Sequence, residues 1–448
     1  MMLKRKIYNN LLQWKEKENR KPLILRGARQ VGKTTLVKKF SEEYKQSIYL
    51  NLEKEEDKEL FTSKSDIKNI IETLFLKYNL TNDYQNTLTF IDEIQESSEA
   101  IHILRYFYEE YPEIHTIAAG SLLEFSIKDI NSFPVGRVEF LYLSPLNFEE
   151  FLNAIGHSNA LEYYNTIPHN PIAHNTLLNL YNTYVILGGM PEIIQAYSNT
   201  KSMIGLSNVY ESLWSTYKMD IEKYGRNKTI KNVLKHIINT AQHSIDVRIK
   251  FNNFGKSDYK SREVGEAFRS LHDAKIIQII YPTVNTEPPI QSDLKKSPRI
   301  QFLDTGLLNY SLGIQAELIG LKDLNNSYRG AIIPHMVNQE IIAQHSTESH
   351  TPSFWVREKN NTSSEVDLVF THNNLLIPIE IKSGSAGSLK SLHQFIDRCP
   401  HNFGVRIYGG ELTIEKHKTI SGKEFNLLNL PYYLSGKISE YLDYFIKR

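Results

Sequence analysis

The stretch Gly27-Ala28-Arg29-Gln30-Val31-Gly32-Lys33-Thr34-Thr35 constrains this chain more than any other. It completes a GxxxxGK(S/T) pattern, set directly after the apolar run PLILR and before the helix-forming run TLVKKF. Strand, glycine-rich turn and helix in that order aim backbone N–H groups, and the positive end of the helix, into one hollow that fits phosphate oxygens. Lys33 then reaches the β- and γ-phosphates, and the Thr34 hydroxyl faces Mg2+. ATP with Mg2+ is the expected ligand, cradled by Gly27, Ala28, Arg29, Gln30, Val31, Gly32, Lys33, Thr34 and Thr35.

Apolar runs alternating with helical patterns surround this motif: PLILRG, SIYLNLE, TLTFIDE and HTIAAGS. Such alternation predicts a parallel sheet covered by helices on both faces. TLTFIDE delivers Asp92 and Glu93 to the carboxyl edge of the sheet, where ligands bind in open α/β folds. Asp92 is placed to hold Mg2+ through water, and Glu93 to orient the attacking water. HTIAAGS brings Ser121 to the neighbouring strand end, within reach of the γ-phosphate or the lytic water. Arg137, in FPVGRVEF, has two readings: a guanidinium answering transition-state charge, in its own chain or across to a neighbour's nucleotide, or a surface ion pair.

With 448 residues the chain exceeds one ordinary core, and at roughly 100–200 residues per domain it predicts several modules. Fifty-two Lys and Arg residues nearly balance fifty-one Asp and Glu, so no global field selects nucleic acid or a membrane surface. One cysteine, Cys399, permits neither an intrachain disulfide nor a zinc knuckle. The charged N-terminus lacks the apolar core of a signal peptide, and no run approaches a membrane span, so a cytoplasmic protein is expected. The fifteen histidines show no HExxH or other paired ligand spacing.

Helical periodicity dominates from Phe148 to Ser244, broken at IPHNP and LGGMPE. In GGMPE a tight turn leads into a helix begun by Pro191, which gives Glu192 a structural or capping part. Asp220 and Lys218 read as a solvated helix face. Further on, Val264, Ala267, Phe268 and Leu271 mark an amphipathic helix running into a strand, a loop and a returning strand, the order of a winged helix. Lys256, Lys260, Arg262 and Arg269 are interleaved there with Asp258, Glu263, Glu266 and Asp273. That pattern favours a packing or lid role over direct DNA binding.

Mixed α/β patterning returns in the last third. EVDLVFTH and LLIPIEIK flank Asn373-Asn374, a two-residue turn of the hairpin type. Counting outward from His372 and Leu375 places Asp367 opposite Glu380, and Glu365 opposite Lys382. Directly paired side chains lie ~5 Å apart, close enough for two carboxylates to share a divalent ion. Val366, Leu368, Ile379 and Ile381 are expected on the other face.

Two resemblances follow from these residues. The order GARQVGKTT, FIDEIQ, AAGSLL, GRVEFLYLSPLNFEEF, LGGMPE and FLDTGLLNYSLG resembles prokaryotic AAA-type (AAA+ superfamily) P-loop ATPases that carry a C-terminal domain of unknown function 4143. The D-x12-E-x-K spacing of Asp367, Glu380 and Lys382 resembles the PD-(D/E)xK nuclease core, with Val366 at the position of the motif's proline. That second resemblance implies two acids holding Mg2+, a lysine orienting water, an additional acid at Glu340 and a weaker candidate at Gln394. Together they imply an α/β fold of four parts: a P-loop parallel-sheet AAA-type core at 1–147, a helical lid at 148–228, a winged helix at 229–312 and a mixed α/β restriction-endonuclease-like domain at 313–448. DNA is the expected C-terminal substrate, and a homo-oligomer or a protein partner would suit Arg137 acting in trans.

Overall fold

The computed structural model describes residues 3–62, 66–121, 133–319, 324, 330–348, 350–359, 362–382 and 389–447. Five strands form the first sheet: β1 (Leu23–Arg26), β2 (Gln46–Asn51), β3 (Thr87–Asp92), β4 (His115–Gly120) and β5 (Glu139–Tyr142). They run parallel in the order β2-β3-β4-β1-β5. Every residue of β3 and β4 is buried, as sheet strands covered on both faces must be.

Alternation sorts their side chains into two cores. Ile24, Ile48, Leu50, Ile91 and Ala118 pack against helices Ile67–Lys77 and Ser98–Glu109. Leu25, Leu88, Phe90, Ile117 and Ala119 face the opposite layer, formed by helices Ile7–Lys15 and Lys33–Phe40.

The middle of the chain is helical, as its periodicity predicts, through helices that include His174–Leu187, Pro191–Thr200, Ser207–Asp220, Lys228–Thr240 and Ser261–Asp273. The last buries Val264, Ala267, Phe268 and Leu271 and leads into β6 (Ile277–Ile280), which pairs antiparallel with β8 (Arg299–Phe302). Between them β7 (Pro282–Thr283) crosses to the C-terminal sheet and pairs with β9 (Ser353–Lys359). That sheet continues through β10 (Thr362–His372), β11 (Leu375–Ile381), β12 (Phe403–Tyr408), β13 (Thr413–Lys418) and β14 (Glu424–Pro431), in the order β13-β14-β12-β11-β10-β9-β7. One continuous core, from Leu146 to Phe445, unites the helical and C-terminal parts.

Three quoted motifs meet at one junction. Gly189 N–H donates to Asp304 Oδ2 at 2.6 Å, and Gly189 O accepts from Leu146 N–H at 2.7 Å. A Cβ on Gly189 would stand 2.2 Å from Leu146 O, and one on Gly306 2.0 Å from Leu187 O. SPLNF, LGGMP and FLDTGL therefore interlock by backbone contact, which only glycine permits there.

Candidate functional site

The phosphate loop connects β1 to the Lys33–Phe40 helix with Gly27 at φ 153°, Gln30 at φ 60° and Gly32 at φ 95°. Gly27 leaves no room for a side chain, because a Cβ would stand 2.4 Å from Leu143 O. Lys33 is buried and folds onto its own loop, its Nζ donating to Gly27 O at 3.0 Å and Ala28 O at 2.9 Å. Those carbonyls hold the ammonium at the mouth of the loop, where phosphate oxygens would compete for it.

Register brings the remaining groups to the same sheet edge. Thr34 Oγ1 donates to Asp92 Oδ2 at 2.8 Å, and Tyr49 from β2 donates to the same oxygen at 3.2 Å. Burial pushes the Asp92 carboxyl upward, against the hydrogen bonds from Thr34 and Tyr49 that favour its charged form. The oxygen-only pair of Thr34 and Asp92 suits Mg2+, which binds through one or two protein oxygens with water and phosphate. Glu93 adopts a left-handed backbone, φ 51° and ψ 45°, and accepts from Gln95 Nε2 at 2.6 Å. Strain in a bulky residue at a strand end is characteristic of functional positions. Ser121 is buried at the end of β4, and its hydroxyl has no hydrogen-bond partner among the described residues.

A cavity of about 600 Å³ opens over this edge, lined by Gly32, Lys33, Thr34, Thr35 and Glu93 on one side and Pro191, Glu192 and Gln195 on the other. Glu192, in the first turn of the Pro191–Thr200 helix, is exposed at the cavity wall. Arg5 closes a third side, with Nη1 donating to Val31 O at 2.9 Å and Nε to Glu150 at 3.1 Å. No local pattern in MMLKRK marks Arg5, because only the tertiary fold brings it to the loop. Asp220 also departs from expectation: it is buried, 2.6 Å from Arg29, while Tyr217 OH donates to Arg29 O at 2.6 Å. The Ser207–Asp220 helix therefore grips the phosphate loop. Lys218 remains on the outer face, against the Trp214 ring.

Arg137 stands apart from the cavity. Its Nε pairs with Glu109 at 3.0 Å on an exposed surface, the second of its two readings within one chain.

At the C-terminal hairpin the predicted turn holds, and the predicted register holds as far as Leu368 and Ile379. Asn373 and Asn374 both have positive φ, and His372 pairs with Leu375 and Leu368 with Ile379. Asp367 lies one step beyond, accepting from Ile381 N–H at 2.9 Å. Burial and the neighbouring Asp367 charge push the Glu380 carboxyl upward. Lys382 Nζ contacts Glu380 Oε1 at 2.6 Å, while Glu380 Oε2 is buried with no hydrogen-bond partner among the described residues. An orphaned carboxylate oxygen beside a second acid is a fit for an oxygen-liganded divalent cation.

Four expectations here are corrected. Glu365 does not pair with Lys382: the β10/β11 ladder stops at Leu368 and Ile379, and beyond it a bulge between Val366 and Val369 shifts β10 along β9, where Glu365 stands opposite Val356. The same bulge turns Val366 to the opposite core from Leu368, Ile379 and Ile381. Glu340 is not beside these acids. It is fully buried, accepting from Phe148 N–H at 2.9 Å and Tyr184 OH at 2.8 Å. Asn338 lines the cleft with Asp367 instead, and two residues along a helix turn a side chain by ~200°. Gln394 accepts from Arg357 at 3.0 Å, away from that cleft.

Sequence reasoning missed the groups that answer the acids. Arg299, from β8, contacts Glu365 at 2.9 Å, Asp246 at 3.4 Å and Asp367 at 3.8 Å, with its guanidinium 4.6 Å over the Phe354 ring. Arg248 adds a second contact to Glu365 at 3.2 Å. A cation already lies among these carboxylates, and the chain itself supplies it.

Comparison with known proteins separates the parts. Residues 19–152 match the family described as AAA domain, residues 178–318 a domain of unknown function (DUF8612) and residues 329–433 a domain of unknown function (DUF4143). The N-terminal part is an AAA-type P-loop ATPase domain. No curated protein matches the chain. Among solved structures, the Walker-type ATPase PABY2304 of Pyrococcus abyssi is 13% identical with TM-score 0.44, covering 69% of this chain and 96% of that one. Unliganded Pif1 from Bacteroides sp is 15% identical with TM-score 0.21, over 39% of this chain and 51% of that one. The Hsp104-ADP complex of S. cerevisiae is 11% identical with TM-score 0.27, over 61% and 38%. Among the described residues, no helix is long and apolar enough to cross a membrane.

Proposed function

We propose that this ATPase couples nucleotide state in its core to a Mg2+-dependent, nuclease-like site in the C-terminal part that acts on DNA. On this reading residues 1–147 are the core, 148–228 a helical lid, 229–312 a winged helix and 313–448 the nuclease-like domain. The observation that carries it is the cluster at adjacent strands β10 and β11: Asp367, Glu380 with a buried oxygen unpartnered among the described residues, and Lys382, one residue past β11, at 2.6 Å from Glu380. The Lys228–Thr240 and Ser261–Asp273 helices followed by the β6/β8 pair support the winged-helix assignment.

In the core, Lys33 and the loop N–H groups would bind the phosphates, Thr34 and Asp92 would hold the ion, and Glu93 would orient water for in-line attack. At the second site Asp367 and Glu380 would hold the ion, and Lys382 would orient water toward a phosphodiester. Mg2+ there would neutralise phosphate charge and acidify bound water. The test is degradation of linear DNA by the purified chain with Mg2+ or Mn2+. Cleavage abolished by Asp367→Asn and by Glu380→Gln is expected, and cleavage surviving both substitutions refutes the assignment.

A second reading is favoured by Arg299. With a guanidinium already among the acids, the C-terminal part would bind nucleic acid or protein under nucleotide control without cutting. Full ATP turnover, with no divalent-ion binding at Asp367 and Glu380 in any nucleotide state, would select it.

A further inference from the structure

A different cluster lies behind the phosphate loop. The Ile332–Ala343 helix ends in a segment that folds against the outer strand of the ATPase sheet, where Tyr142 N–H of β5 donates to Ser346 O at 2.7 Å. His345, Glu348 and His350 come together there, each offering one ligand atom, with all three atoms within 4.8 Å of one another. The two imidazoles stack face to face, centroids 3.8 Å apart at 10°. They border a cavity whose far wall is Gly27 and Ala28, the start of the phosphate loop. The spacing H-x2-E-x-H matches no familiar ligand pattern, so the sequence alone gave no reason to group them.

We propose that His345, Glu348 and His350 form a binding site for a borderline divalent transition-metal ion such as Zn2+. The donor set decides the class: two imidazoles and one carboxylate suit Zn2+ or Co2+, whereas Mg2+ and Ca2+ take oxygen ligands. His345 is already oriented for the task. Its Nδ1 lies 2.9 Å from Ile341 O, so that nitrogen carries the proton and Nε2 carries the free lone pair. Ligands at ~2.1 Å in a tetrahedral site stand about 3.4 Å apart, so closing the cluster takes side-chain rotation that draws the atoms together and turns the stacked rings until their in-plane lone pairs converge. Three protein ligands leave one position open, toward the cavity. The site would clip the start of the C-terminal part to the ATPase sheet, independently of Asp367 and Glu380.

The test is titration of the chelator-treated full chain with Zn2+ by calorimetry and with Co2+ by visible absorption. One equivalent bound, with a tetrahedral Co2+ spectrum, is expected. His345→Ala and His350→Ala should each weaken binding by at least about 10-fold. Glu348 is exposed, so Glu348→Gln keeps the fold and must also weaken binding even where a histidine variant misfolds. The Asp367→Asn chain should still bind Zn2+ with the starting affinity. Absence of Zn2+ and Co2+ binding, or binding that Glu348→Gln leaves untouched, overturns the proposal.

Discussion

Replacing Arg299 by glutamine separates the roles of the acids around it. Only 14% of the Arg299 side chain is exposed, and its guanidinium answers Glu365, Asp246 and Asp367 within 3.8 Å. Removing one partner of a buried ion cluster costs about 3–5 kcal/mol, because the remaining charges stay buried and unpaired. For a unit of 150–250 residues, that is a fall in Tm on the order of 6–20 °C. The vacated carboxylates would then be free to take a divalent ion. At 100 times its Kd such an ion returns about 2.7 kcal/mol, so Mn2+ should restore about 5–11 °C to Arg299→Gln. The unsubstituted chain should gain much less, since its guanidinium competes for the same oxygens. Differential scanning calorimetry of both proteins, with and without Mn2+, reads this directly, and Asp367→Asn in the Arg299→Gln background should erase the gain. Equal Mn2+ shifts in both proteins would refute the claim that Arg299 stands where an ion would.

The remaining expectations are quicker to state. Lys33→Ala should abolish ATP turnover and weaken nucleotide binding, whereas Glu93→Gln should bind ATP yet lose turnover by about 100-fold or more, measured by phosphate release. Arg137→Ala should leave turnover unchanged at every protein concentration, since its partner is Glu109 on the surface; loss of activity at high concentration would instead reveal a role across a subunit boundary. Gly189→Ala should yield no folded protein by circular dichroism, because its Cβ meets Leu146 O at 2.2 Å. Glu340 supplies a pH test: burial pushes its carboxyl up to about 8, so the folded chain keeps a proton that the unfolded chain releases. Stability should therefore fall as pH rises from about 4.5 to 8, and Glu340→Gln, which cannot ionise, should lack that fall in Tm-against-pH curves.

Legibility followed the range of the interaction. The phosphate loop, Asp92 and Glu93 were readable because strand, turn and helix are consecutive and the sheet edge is set by the parallel register. The β10/β11 register was equally readable, since two asparagines with positive φ fix a two-residue turn and the pairing follows by counting. Counting failed at Glu365, where a bulge set by β9 on the other side of β10 resets the alternation. Glu340 failed for a related reason: helical period says which residues share a face, but not which face meets the cleft.

The same limit decides how the acids around Asp367 should be understood. A carboxylate pair with the right spacing is a metal site only when no other cation outcompetes the ion, and the competitor here comes from β8, sixty-eight residues before Asp367. Asp246 and Arg299 come from the part assigned as a winged helix, Glu365 and Asp367 from the part assigned as nuclease-like, and β7 stitches the same two parts into one sheet. The helical part, in turn, holds the phosphate loop through Arg29–Asp220 and Tyr217. A shift of these helices with bound nucleotide would therefore act on both ends of one lever: on Arg29 at the phosphates, and on Arg299 among the acids. On the proposed reading, coupling between the two sites would need no contact between their ligands, only a different position of β8 in the two nucleotide states.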